Sequence, residues 1–313
     1  MMTTNTQDFN GHIRAAIFDI RGRYVATKRD RDFELALDRL ISASNDNGRA
    51  EPIRFTSTRE TRGIIVVDGA GGGKTSLVKR GLAAHPGLKA TDSTKPVVSI
   101  TVPNPATLKS VAQEALKATG YIGGDKKRTN WEMWDLLRER FQMLGTVVFW
   151  IDEAHDLFPR GSKSEAPQIL KTFKSLMQGD GAVIVILSGI ESLWDSISFD
   201  HQVYRRYSKF QLAPMVATAD DKLIWKLLTS FCDRAKLAPP EKGDIVERII
   251  HAGRRRFGLC IEQMISAIEI ALLRGDAMLD ATHFADAFFA QEACPINENV
   301  FLVPRWSAIN LIA

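Results

Sequence analysis

Apolar and polar positions divide this chain into two regimes. Through residue 215, short aliphatic runs alternate with longer amphipathic stretches. Gly63–Val67, Pro96–Val102, Thr146–Ile151 and Ala182–Leu187 are β-branched or aliphatic runs bounded by polar or turn residues, the pattern of buried strands. Between them the apolar residues recur at helical spacing. Leu77, Val78 and Leu82 mark one helix, and Ala106–Thr119 forms a second. Trp131–Leu144 carries Trp131, Trp134, Leu137 and Phe141 on one side, and Ala166–Met177 carries Ile169, Leu170, Phe173 and Leu176. Strand and helix in alternation predict an α/β domain, a parallel sheet flanked by helices on both faces. From Thr218 the pattern is helical throughout. One helix is expected to be capped by Thr218, with Asp220 and Asp221 in its first turn; Glu241–Ala252 and Leu259–Leu273 follow. The last is expected to be capped by Thr282, with Phe284, Ala287 and Phe288 inward. This second region reads as a small all-helical lid.

The flanks are less patterned. Residues 1–10 are polar and expected to be disordered. Arg29–Ile41 is a helix with Phe33, Leu37, Leu40 and Ile41 on one face, and Arg54–Arg62 is a polar connector. The expected organisation is an N-terminal helical extension (1–62), an α/β domain (63–215), a helical lid (216–292) and a C-terminal tail (293–313). Phe301, Leu302, Trp306 and Ile309 on that tail suggest docking to the body, a neighbour or a partner.

Composition narrows the picture only a little. The 313 residues suffice for a substantial core, and a formal net charge of +4 permits a nucleic-acid partner without requiring one. The three cysteines are far apart and lack metal spacing, as expected of structural thiols in a reducing cytoplasm. No apolar run approaches the ~18 residues of a membrane span, and no signal peptide is evident.

The chemistry begins at the first strand. Gly69-Ala70-Gly71-Gly72-Gly73 is followed by Lys74, Thr75 and Ser76, and then by a helix. Strand, glycine loop, Lys-Thr and helix make a phosphate-binding P-loop. Glycines let backbone N–H groups curl around an anion, and the helix N-terminus adds its dipole. Lys74 is placed to reach the β- and γ-phosphates of ATP, and the Thr75 hydroxyl to hold Mg²⁺. One position departs from the usual pattern: Asp68 stands where the motif opens with glycine, and Gly69 follows it.

The third strand ends in Asp152-Glu153-Ala154-His155. Asp152 is the expected Mg²⁺ carboxylate and Glu153 the group that orients and deprotonates the attacking water. The same four letters occur in one helicase class, but that reading needs a second motor domain, and none is seen; His155 then reads as a loop or packing residue. The fourth strand ends at Ser188, which either senses the γ-phosphate or caps the next helix. Arg205 and Arg206 follow. Either is suited to reach a neighbouring subunit's nucleotide, because a guanidinium stays charged and binds oxyanions in a planar fork, and Arg206 is the favoured one. A solvated basic turn is the other reading of this pair. Arg254-Arg255-Arg256 is either a solvated turn or the source of a second nucleotide sensor.

Together, the P-loop, the Asp-Glu strand end, Ser188, the Arg205-Arg206 pair and the helical lid resemble the AAA+ ATPases. The likeness is strongest to the transposition regulators of the TniB, TnsC and MuB type, and to TniB in particular. Pro96-Val97-Val98 leading to Pro103-Asn104-Pro105, Ile151–His155, Asp200-His201-Gln202 before the arginines, and Leu279-Asp280-Ala281-Thr282 carry that likeness. It implies a cytoplasmic ATPase that binds ATP and Mg²⁺, forms a homo-oligomeric ring or filament on duplex DNA, and recruits a transposase, with a target-selection protein as a further partner. Hydrolysis then disassembles the polymer. The resemblance places non-specific DNA contacts after the second strand and its helix, here at Lys109 and at Lys126, Lys127 and Arg128. Two other readings share the motifs: an AAA+ ATPase acting on protein alone, as in secretion, and a nucleotide-gated signalling or defence switch.

Overall fold

The computed structural model describes residues 3–43, 50–123, 128–158 and 166–311. The chain opens with α1 (Thr3–Arg21), α2 (Lys28–Asp38), the strand pair β1 (Ile41–Ala43) and β2 (Ala50–Pro52), β3 (Gly63–Val67) and α3 (Lys74–Ala84). It continues with β4 (Val97–Thr101), α4 (Leu108–Ala118), α5 (Asn130–Met143), β5 (Val148–Asp152), α6 (Ala166–Leu176) and β6 (Ile184–Gly189). Next are α7 (Glu191–Ser198), the single turn α8 (His201–Tyr204) and β7 (Tyr207–Gln211). Four helices close the chain: α9 (Ala217–Ala235), α10 (Ile245–Ala252), α11 (Phe257–Arg274) and α12 (Ala281–Glu292).

The chain divides into two compact units. One comprises residues 27–70 and 74–212; the other comprises residues 1–26, 71–73 and 213–313. The first is built on a five-stranded parallel sheet in the order β4-β5-β6-β3-β7. β3, β5 and β6 are buried along their whole length, as the unbroken apolar runs require of strands covered on both faces. Their side chains alternate with the period of the pleat. Ile65, Val67, Phe149, Ile151, Val185 and Leu187 face a core shared with α4, α5 and α6. Ile64, Val66, Val148, Trp150, Ile184 and Ile186 face the opposite core, where Phe33 and Leu37 of α2 and Leu77, Val78 and Leu82 of α3 pack.

The second unit is helical, with one continuous core of α1, α9, α10, α11 and α12. Two expectations change here. Residues 3–10, expected to be disordered, belong to one helix, Thr3–Arg21. Ile13, Ile17 and Ile20 of that helix are buried in the core of this unit, each burial contributing roughly 1.5–3 kcal/mol. The stretch 1–62 is therefore not a single extension. Its first part joins the helical unit through these isoleucines, and its second joins the sheet unit through Phe33 and Leu37.

The expected caps also shift by two residues. α9 begins after Val216 and has no side-chain cap; Thr218 lies inside its first turn, and the Val216 N–H donates to the Asp220 carboxylate at 2.8 Å. α12 is capped by Asp280, which accepts from the N–H groups of Thr282 and His283 at 2.8 and 3.4 Å. At α12 the carboxylate wins because it accepts charge-assisted bonds where a hydroxyl would accept neutral ones.

The C-terminal segment docks on its own unit. Arg248 donates to the carbonyls of Val300 and Val303, Trp306 Nε1 donates to Asp244 at 3.0 Å, and Phe301 stacks on Phe284 at 5.3 Å. All three cysteines are free, and burial pushes the Cys232 thiol up to about 12. Among the described residues, no helix is long and apolar enough to cross a membrane.

Candidate functional site

The parallel register brings the ends of β3, β5 and β6 together. Val67 pairs with Gly189 and Ile151 with Leu187, so Asp68, Asp152 and Ser188 all emerge at the C-terminal edge of the sheet. Ligands in open α/β sheets bind beyond the carboxyl ends of the strands. The glycine loop leaves β3 there. Gly71 and Gly73 have φ of +76° and +95°, backbone that an L side chain rarely adopts, which is why this bend is written in glycine.

Lys74 opens α3 and is buried. Its Nζ donates to the carbonyls of Asp68 and Gly69, each at 3.0 Å, so the ammonium sits inside the loop. The Thr75 hydroxyl donates to Asp152 Oδ2 at 2.7 Å. Ser188 Oγ donates to Asp152 Oδ1 at 2.5 Å and accepts from Trp150 Nε1 at 2.8 Å. Asp152, Ser188 and Trp150 are all buried. The chain Trp150–Ser188–Asp152–Thr75 thus spans three adjacent elements and fixes the carboxylate on both oxygens. Ser188 is not the cap of the following helix; α7 starts after Ile190 without a side-chain cap. Ser76 and Ala70 are exposed at the loop.

The Asp68 departure has a local rationale. Asp68 Oδ1 accepts from the Gly69 N–H at 2.7 Å, and its own N–H reaches the Gly189 carbonyl at 3.3 Å. The side chain caps the first turn of the loop, and the tight positive-φ bends fall later, at Gly71 and Gly73.

Glu153 follows Asp152 with left-handed backbone, φ 53° and ψ 35°, and its N–H donates to Asp152 Oδ1 at 3.1 Å. Its side chain is partly exposed and lies 3.2 Å from His155 Nδ1. Trp150 is the site neighbour that sequence reasoning passes over, and His155, read there as a loop or packing residue, is the one it leaves out of the site. The one signal for Trp150 is an indole N–H in a fully buried strand, which calls for an acceptor. His155 has its signal in the Asp-Glu-Ala-His spacing itself.

The arginine pair behaves unlike the sequence reading. Arg206, the favoured trans-acting residue, is buried at 2% exposure. It forms an ion pair with buried Glu60 and donates to the Gln202 carbonyl. A guanidinium held this way does not project to a neighbour. Arg205 is the exposed member, 64% accessible at the side chain and 3.6 Å from the other oxygen of Glu60. Breaking one side of a buried pair leaves an uncompensated charge. Glu60→Ala is therefore expected to destabilise the fold by ~3–5 kcal/mol, measured by urea denaturation.

Lys109 is exposed in the first turn of α4, and Arg128 is half-buried with a guanidinium nitrogen 3.3 Å from the Tyr121 hydroxyl. Lys126 and Lys127 lie outside the described residues. Of the triple arginine, Arg254 grips Glu292 through two hydrogen bonds at 3.0 and 2.8 Å, and Arg255 Nε donates to the Met215 carbonyl.

The glycine loop with its lysine after β3, the carboxylate at the end of β5 bonded to Thr75 and Ser188, the sheet order β4-β5-β6-β3-β7 and the helical second unit make this a P-loop fold of the AAA+ type. Three solved structures share that fold at low sequence identity. Cdc6p from Pyrobaculum aerophilum has a TM-score of 0.61 and 14% identity, with 90% of this chain and 75% of that chain covered. The Aeropyrum pernix ORC2 protein (ADPNP-ADP complexes) has 0.59 and 16%, with 88% and 71% covered. Drosophila ORC bound to DNA has 0.55 and 13%, with 91% and 67% covered. The family profile described as "Bacterial TniB protein" matches residues 53–216, more than half of the chain. The chain belongs to the TniB family. A search of curated proteins found no match.

Proposed function

We propose that this protein is an ATP-dependent regulator of DNA transposition: it binds ATP, oligomerises on duplex DNA, and recruits a transposase, and hydrolysis disassembles the assembly. The observation that carries the ATPase part is the convergence of Lys74, Thr75, Asp152 and Ser188 at one sheet edge. The transposition part rests on membership of the TniB family.

Each residue has a role in that reading. Amides of Gly69–Gly73 and the start of α3 cradle the phosphates. Lys74, resting on two carbonyls, turns to the β- and γ-phosphates. Glu153 takes the proton of the attacking water, and Ser188 holds Asp152 and reports on the γ-phosphate end. Arg205, rather than Arg206, reaches the neighbouring subunit's nucleotide, since it is the exposed one. Thr75 and Asp152 fit Mg²⁺: a hydroxyl and a carboxylate 2.7 Å apart are hard oxygen donors of the kind this ion takes, together with phosphate oxygens and water. Bound there, the ion neutralises charge on the phosphates.

DNA contact is assigned to Lys109, Lys126, Lys127 and Arg128, acting on phosphates and hence independent of sequence. With a non-hydrolysable ATP analogue, duplex DNA is expected to shift on a gel, and each neutralised cation is expected to reduce the salt slope of binding by about one. Affinity unchanged by nucleotide and by Lys109→Ala and Arg128→Ala together with Lys126→Ala and Lys127→Ala would remove DNA from this reading.

A further inference from the structure

Past the Asp152-Glu153 pair, the chain makes a short 3₁₀ turn, Ala154–Leu157, that carries His155. Its imidazole is set between two carboxylates. Nδ1 lies 3.2 Å from Glu153 Oε2 and Nε2 lies 3.5 Å from Asp156 Oδ1. Nδ1 is buried and lacks an aligned hydrogen bond, although the Glu153 carboxylate is within reach. A small rotation of either side chain makes that bond.

The surroundings favour this placement. Glu153 is a non-glycine residue with positive φ, a conformation that persists only where its neighbours enforce it. Behind the ring stands Gly189, the residue after Ser188. A Cβ built on Gly189 would sit 3.1 Å from Nδ1 and 3.3 Å from the His155 Cβ. The end of β6 thus meets the imidazole with no side chain between them.

We propose that His155 is a brake on Glu153: with its proton on Nδ1, it tethers the carboxylate in a resting position and withholds it from the attacking water. His155 is a positioning residue here: it acts through Glu153. The inference rests on reading Glu153 as the general base.

Two measurements test it. In steady-state ATP turnover, His155→Ala is expected to raise kcat about tenfold with KM unchanged, the ratio that corresponds to ~1.4 kcal/mol of lost tethering. His155→Asn, whose amide N–H stands near the Nδ1 position, is expected to restore the wild-type rate. Damage to folding does not speed an enzyme, so a faster variant is not a packing effect. Equal or lower kcat in His155→Ala overturns the brake, as does an Asn variant that behaves like Ala.

The second measurement is ¹⁵N-imidazole NMR on the full chain without nucleotide. The His155 signal is expected to report protonated Nδ1 and to move in Glu153→Ala. A ring protonated on Nε2 alone, or one unmoved by the substitution, overturns the tether whatever the turnover result. Absence of turnover in the wild-type protein would instead fall on the hydrolysis reading, and the NMR result would still decide the contact.

Discussion

Glu153→Gln is expected to lower ATP turnover by ~10²–10⁴, the range that a positioned general base contributes, while Mg-ATP binding persists. The change is nearly isosteric. It touches none of the groups assigned to the phosphates, because Lys74, Thr75 and Asp152 keep their hydrogen bonds to Asp68, Gly69 and each other. The phenotype is therefore a split: phosphate release falls, whereas calorimetry records the same heat on titration with Mg-ATP. In an oligomeric ATPase the blocked step also traps the assembled state, visible as a higher-mass species in light scattering with ATP. Normal turnover by this variant would refute the assignment of the base. Loss of binding along with turnover would place Glu153 among the ligand contacts instead.

Lys74→Ala is expected to abolish nucleotide binding. Lys74 is 6% exposed and its ammonium is held by two loop carbonyls at 3.0 Å, so it is already positioned within the loop. Hydrogen bonds to charged groups contribute ~1.5–3 kcal/mol each, and losing two to phosphate oxygens weakens binding by roughly 10²–10⁴. Calorimetry with ATP and with ADP checks this. The folded state should survive, because the carbonyls of Asp68 and Gly69 lie in a partly exposed loop where water can replace the ammonium. A melting temperature that no longer rises with nucleotide, in a variant that melts near wild type without it, is the expected signature. Retention of wild-type affinity would mean that the glycine loop does not hold the triphosphate.

The parts of this molecule visible before any coordinates were the locally written ones. A run such as Ile64–Val67 is a strand because neighbouring residues are β-branched and both faces are covered. The loop after it is legible because φ of +76° and +95° is backbone that glycine adopts freely and other residues rarely do. Asp152 is legible because the Asp152-Glu153 pair closes an apolar strand downstream of a glycine loop with Lys74 and Thr75, the order a P-loop site requires. The same logic missed in instructive ways. Thr218 and Thr282 were good cap residues by type, yet α9 starts after Val216 with no side-chain cap, and Asp280, two positions before Thr282, caps α12. Residues 1–10 lacked an apolar pattern, yet Thr3–Arg21 forms one helix, whose Ile13, Ile17 and Ile20 find their partners in α9 and α11.

Sequence pattern was enough for four of the five sheet strands, the phosphate loop, the acidic strand end and the helical C-terminal region, since periodicity, β-branching and glycine conformation act within a few residues of chain; it missed the edge strand β7, whose mostly exposed, polar residues carry no apolar run. Partner choice across the fold was not written that way. Arg205 and Arg206 are neighbours with the same chemistry, and only Glu60, 146 residues from Arg206, makes one a buried ion pair and leaves the other facing solvent. Trp150, Ser188, Asp152 and Thr75 become one hydrogen-bonded chain because three parallel strands end in register beside α3, a juxtaposition that no local pattern encodes.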